Sequence, residues 1–296
     1  MEKPLAIVET ERHGGVFVVR MNRPERLNAL SVELREGLAD AWTAFEQDDG
    51  LQVGILTGNG RAFCAGGDLK RQAETGTINM TNSAPPSLRQ SGAAAERPTI
   101  NDPYYDGTLM KPVIAAINGY AMGGGFAMAE RADLRIAVRG AILELSEAKR
   151  WLLGGYRHGH INKLPHAIAT EMAFAYRFSA ERLYELGYIN WLVDDVEELI
   201  PAAIERANHL LTLPPAALVN TMVMMRELRP RVPGEYDELG DLMKGHGAIE
   251  DLHESRRAFA EKRAPNWKGW DDPGDRLRTP TLGSLRSDAG RPSSGA

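Results

Sequence analysis

Arg61-Ala-Phe-Cys-Ala-Gly-Gly-Asp-Leu-Lys70 and Lys111-Pro-Val-Ile-Ala-Ala-Ile-Asn-Gly-Tyr-Ala-Met-Gly-Gly-Gly125 each pass from apolar, strand-like residues through glycines into a helical pattern. Such a layout leaves backbone amides unpaired at a helix start, where they can meet a negatively charged oxygen. Two such turns from separate parts of the chain can converge on one carbonyl oxygen and stabilise the charge it gains during reaction. A glycine-rich turn also serves plain tight packing, so either stretch alone is a weak signal and the pair carries the reading.

Around these turns the pattern is that of an α/β layered domain. Apolar runs at Leu5 to Val8 and Val16 to Met21 read as two strands joined through His13-Gly14-Gly15. From Ser31, a natural N-cap, the positions Val32, Leu34, Leu38, Ala41, Trp42 and Phe45 recur at helical spacing. Val53 to Thr57, Val113 to Ile117 and Leu134 to Val138 are short apolar runs of the kind buried on both faces of a parallel sheet. Residues 71 to 110 interrupt this rhythm with Thr, Ser, Asn, Pro and Ala, and an irregular insert of that length in a compact domain is usually functional or mobile. Beyond Leu145 helical segments dominate: Ala167 to Tyr176, Ala180 to Leu186, Val196 to Leu211, Pro215 to Leu228, and Gly234 to Glu261 with interruptions. The tail from Asp271 to Ala296 reads as loosely attached.

Composition narrows the function classes. The 296 residues are 43% hydrophobic, ample for a real core. A net charge of −5 and a pI near 5.9 give no general reason to expect nucleic-acid binding. The single cysteine, Cys64, excludes an internal disulfide, and without a nearby histidine pattern it reads as a packing residue. No apolar run reaches membrane-spanning length and the N-terminus lacks a signal-peptide profile, so a cytoplasmic protein with no membrane partner is expected.

Together the two glycine stretches resemble the paired signatures of the crotonase superfamily, the enoyl-CoA hydratase/isomerase family. Asn22-Arg-Pro-Glu-Arg-Leu-Asn-Ala-Leu30 resembles its early CoA-contacting turn, Phe178 to Asn190 its helix-turn before a strand, and Ala258-Phe-Ala-Glu-Lys-Arg263 its C-terminal ending. The resemblance spans roughly residues 5 to 270. It implies a spiral of ββα units in a core over 1–200, a helical trimerisation region over 201–270 and a flexible tail over 271–296. It also implies a homotrimer or dimer of trimers acting on an acyl-CoA thioester, with coenzyme A as part of the substrate and neither a separate cofactor nor a metal. Carried over by position, the oxyanion donors are the amides of Gly67 and Gly124. Arg26, Leu27, Ala65, Gly66, Asp68 and Leu69 correspond to residues along the CoA, with Phe259 and Lys262 reaching it from the C-terminal end.

The acid/base groups depart from the family pattern. Hydratases of the family typically place a carboxylate three residues after the central oxyanion glycine, and here that position is Ala127. The second family carboxylate is present as Glu147, within Leu143-Glu-Leu-Ser-Glu147. A single carboxylate favours isomerisation or hydration-linked lyase chemistry over hydration by two carboxylates. Gly123-Gly-Gly-Phe126 and Leu145-Ser-Glu147 also match hydroxycinnamoyl-CoA hydratase-lyases, but Gln72 stands where those have a tyrosine. Thioester hydrolysis, decarboxylation and C–C cleavage use the same enolate and stay open, as does a non-catalytic or RNA-binding role, against which the acidic pI counts. Glu130, one turn beyond Ala127, reads as an ion-pair residue ahead of a displaced acid. His158 and His160 are secondary candidates for a proton donor. Tyr104 and Tyr105 either line the acyl pocket or anchor a loop.

Overall fold

A computed structural model describes residues 6–75, 100–153, 155–243 and 246–289. Among the described residues ten strands form two sheets. Strands β1 (Val8–His13), β2 (Val16–Met21), β3 (Val53–Gly58), β5 (Val113–Ile117), β7 (Leu134–Val138) and β10 (Trp191–Val193) lie side by side in that order. Strands β4 (Ala62–Cys64), β6 (Tyr120–Met122), β8 (Ile142–Glu144) and β9 (Phe178–Ser179) form the second sheet. β1 is antiparallel to β2, and every other pairing in the larger sheet is parallel. Each of β3, β5 and β7 is followed by a short strand in the smaller sheet, so the chain winds as repeated ββα units.

Period-two alternation explains why the central strands are apolar throughout. On β5, Val113, Ala115 and Ile117 enter one core cluster while Ile114 and Ala116 enter another on the opposite face. The first cluster is closed by α1 (Val32–Gln47) through Leu34, Leu38, Trp42 and Phe45; the Ser31 side chain caps it by accepting from Leu34 N–H at 3.2 Å. The second is closed by α8 (Val196–Leu211), whose Leu199, Ala203 and Ala207 sit under Val18, Ile55 and Ile136. Between them in chain order come α2 (Leu69–Thr75), α3 (Pro103–Asp106), α4 (Gly124–Arg131), α5 (His158–Ile161), α6 (His166–Ala173) and α7 (Ala180–Glu185). After α8 follow α9 (Pro215–Glu227), α10 (Gly234–Met243), α11 (Glu250–Glu261) and α12 (Leu282–Ala289).

Three expectations need adjusting. The first strand runs Val8–His13, and Leu5 lies outside the described residues; the strand carries Glu9, Glu11 and Arg12 because it is an edge strand whose outward face meets water. The tail is not wholly irregular: Asp272 caps a 3-10 turn over Pro273–Arg278, Arg278 pairs with Asp272 and Asp275, and Arg286 of α12 pairs with Glu235 of α10. The insert contains α3, capped by the Asp102 side chain; its residues 76–99 lie outside the described residues, as do 290–296 of the tail. No helix among the described residues is long and apolar enough to cross a membrane.

Candidate active site

The two glycine turns meet. Leu30 N–H donates to Gly66 O at 2.7 Å, which draws the 66–67 turn against the start of α1. Gly66 has φ +80°, and a Cβ there would stand 2.6 Å from Met122 O and 3.1 Å from Gly124 N. Only glycine permits that approach, so the backbones of the two turns touch directly. Gly124 is the first residue of α4, where no intrahelical acceptor exists for its N–H. Gly67 is exposed at the lip of the turn, with the Gln72 amide beside it.

The residues expected along the CoA divide into two groups. Arg26 ends a 3-10 turn, and Leu27 follows in the left-handed region at φ +53°, its carbonyl accepting from Ala65 N–H at 3.0 Å. These, with Gly66 and Leu69 at the start of α2, form one continuous rim. Asp68 belongs to the rim by backbone, but its carboxylate is committed to Arg23 at 2.9 Å and to Arg71 N–H at 3.1 Å. Burial pushes that carboxyl up, yet these bonds hold it below the ordinary aspartate range. Phe259 lies elsewhere, under the Arg150 guanidinium at 4.7 Å, and Lys262 is an exposed C-cap of α11.

Glu147 stands at the second turn. Its Oε1 is 3.9 Å from where a Cβ would sit on Gly123, and its Oε2 is buried without a hydrogen-bond partner among the described residues. Burial raises its pKa, because the charged form loses water, while His158 opposes the rise. A carboxylate oxygen that is dehydrated and unpartnered is a feature found at functional sites.

Glu130 and His158 form an ion pair, as expected for Glu130 from the sequence. Glu130 Oε2 is hydrogen-bonded to His158 Nδ1, and Oε1 accepts from Asn162 Nδ2 at 2.5 Å. The Phe126 ring meets the imidazole edge-on at 6.0 Å between centroids. Burial alone would lower the pKa of His158, but the bond to Glu130 and the charges of Glu130 and Glu147 raise it above its usual value. Glu130 lies on the same helix as Ala127, and His158 comes from α5. His160 instead stacks on His166 at 5.4 Å.

Other candidates resolve into packing. Cys64 is fully buried, accepts from Gly66 N–H at 3.4 Å, and has its thiol pushed up to about 12 by burial. Tyr104 stacks on Trp42 and donates to Met128 O at 2.5 Å, anchoring the end of the insert. Tyr105 packs beneath Arg131, 4.6 Å from its ring centroid.

The family model described as Enoyl-CoA hydratase/isomerase matches residues 11–270. The chain belongs to the enoyl-CoA hydratase/isomerase family of the crotonase superfamily. It is 34% identical to the enoyl-CoA hydratase EchA19 of Mycobacterium tuberculosis, over 90% of this chain and 97% of that one. It is also 34% identical to the carnitinyl-CoA dehydratase of Salmonella typhi, over 87% and 97% of the two chains. Among solved structures, carnitinyl-CoA hydratase from Mycobacterium avium superposes with a TM-score of 0.71 at 29% identity, covering 89% of this chain and 98% of that one. The two-sheet architecture is therefore the crotonase fold, and the chain is an enzyme of the hydratase/lyase class.

Proposed function

We propose that the protein adds water to, or removes it from, an acyl-CoA thioester, with two proton-exchanging groups facing each other across the glycine turns. The observation that carries this reading is the Glu147 carboxylate beside Gly123, its Oε2 buried and without a hydrogen-bond partner among the described residues, with the His158–Glu130 pair in its electrostatic field. Gly67 and Gly124 N–H groups polarise the thioester carbonyl, and losing one such donor costs about 3–4 kcal/mol of transition-state stabilisation. In hydration, the water oxygen bonds to the β-carbon and the π pair moves toward the α-carbon as an enolate held by the two amides. His158, oriented through Nδ1 by Glu130, takes the proton from water, and Glu147 delivers a proton to the α-carbon. Dehydration runs the same steps backwards, with Glu147 removing the α-proton and the imidazolium protonating the departing hydroxyl.

The reading retains Arg26, Leu27, Ala65, Gly66, Asp68 and Leu69 as the rim along the CoA, with Phe259 and Lys262 as its C-terminal contacts. It also retains a homotrimer or dimer of trimers; the exposed Met224, Met225 and Leu228 at the end of α9 offer apolar surface for such contacts. The test is mass spectrometry of crotonyl-CoA, a branched enoyl-CoA and an aromatic enoyl-CoA after incubation with the protein. Gain of one water on at least one thioester is expected; no water addition to any, at millimolar substrate, would overturn it.

A further inference from the structure

Arg256, buried, and Arg150, half-buried, are neighbouring cations with no carboxylate partner among the described residues. Arg256 is only 5% exposed, and its bonds go to uncharged acceptors: Leu252 O at 2.7 Å, Ser255 Oγ at 3.0 Å, Arg150 O at 3.3 Å and Gln72 Oε1 at 3.3 Å. Arg150 donates to Ser255 O at 3.3 Å, while its Nε is buried without a partner. The nearest acid in its field is Glu144, whose carboxylate is already held by Ser146, Lys149 and Arg177. Burial and the neighbouring Arg150 bring Arg256 down to about 10, which leaves it charged at neutral pH. A dehydrated cation beside a second, partly dehydrated one is costly unless an anion joins them.

The pair adjoins the active site. Arg150 closes the turn that begins at Glu147, donating N–H to Glu147 O at 2.8 Å. Arg256 reaches in from α11, which packs on α2, and one side chain separates it from the first glycine turn. That side chain is Gln72, whose Nε2 stands 3.3 Å from the Cβ position of Gly67 and whose Oε1 accepts from Arg256 Nε. Covalent geometry then puts Arg256 Nε no more than roughly 9 Å from that point, the reach of an acyl chain of roughly four to six carbons.

We propose that Arg150 and Arg256 bind a carboxylate at the far end of the acyl group, so that the substrate is the CoA monothioester of a short dicarboxylic acid. The inference rests on the acyl-CoA reading above. A guanidinium pair suits a carboxylate because its N–H donors match both oxygens. CoA's own phosphates share that anionic chemistry, and the test separates the two sources.

The experiment is calorimetric titration of the full chain with glutaryl-CoA, butyryl-CoA and free CoA, repeated with Arg256→Met. Glutaryl-CoA should bind wild type at least tenfold more tightly than butyryl-CoA, and the variant should lose that preference while keeping its affinity for butyryl-CoA and free CoA. Equal binding of the two thioesters to wild type would overturn the inference alone, and this comparison does not depend on the variant's folding. Equal weakening of all three ligands by Arg256→Met would assign the pair to CoA phosphate and also overturn it. Failure of every ligand to bind would overturn the acyl-CoA reading together with the inference.

Discussion

Glu130 binds the imidazole of His158 from a position one helical turn beyond Ala127, while its other oxygen is held by Asn162. In the proposed mechanism this carboxylate and histidine, joined by one hydrogen bond, take the place of the carboxylate that the family pattern puts at position 127. The bond to Glu130 and the charges of Glu130 and Glu147 raise the pKa of His158 above its usual value despite burial.

Replacing the carboxylate that exchanges the α-proton should stop chemistry while sparing binding. Glu147→Gln is expected to lower kcat by about 100- to 10,000-fold, the usual contribution of a positioned acid or base. Stopped-flow measurement on a good enoyl-CoA substrate, beside titration with a saturated analogue, checks both halves; undiminished turnover would remove Glu147 from the mechanism.

The pH profile should be a bell. Hydration and dehydration both need one proton shared between Glu147 and His158, so activity rises as the doubly protonated site loses one proton and falls as it loses the second. Glu130 raises the pKa of His158, so Glu130→Gln should move the alkaline limb to lower pH. A purely structural Glu130 would reduce activity without moving that limb, and kcat/KM from pH 5 to 10 distinguishes the two.

Restoring the family's carboxylate should bypass the histidine. His158→Gln is expected to lose at least tenfold in water addition, and Ala127→Glu in that background to recover a large part of it, since Ala127 lies on the same helix as Glu130. Initial rates of the single and double variants decide the matter. No recovery in a folded double variant would argue that His158 acts elsewhere than on water.

Gly125→Ala should damage the fold itself. An added Cβ would lie 2.1 Å from Cys64 O and 2.8 Å from Cys64 C, and backbone atoms cannot step aside as a flexible side chain would. A loss of about 3 kcal/mol or more is expected from overpacking at such a site. Urea unfolding of the variant measures it, and wild-type stability would mean that α4 can shift away from β4.

The strands at Val53, Val113 and Leu134 were legible because burial on both faces demands unbroken apolar runs, and the helix after Ser31 because its cap and 3.6-residue period agree. The edge strand and the helical part of the tail were not, since Glu9 and Arg12 in the one, and Asp272 and Arg278 in the other, are polar and draw their structure from partners. The convergence of the glycine turns was implied by their resemblance to a known pair; in the structure the backbone at Gly66 lies close to Gly124.

By itself the sequence determined the family and the layered α/β architecture, because strand periodicity, glycine turns and motif spacing are local properties of the chain. What Glu130, His158, Arg150 and Arg256 do was decided only in three dimensions. Their partners are 28 positions apart in one case and 106 in the other. A charged side chain's meaning depends on which charges, and how little water, surround it after folding.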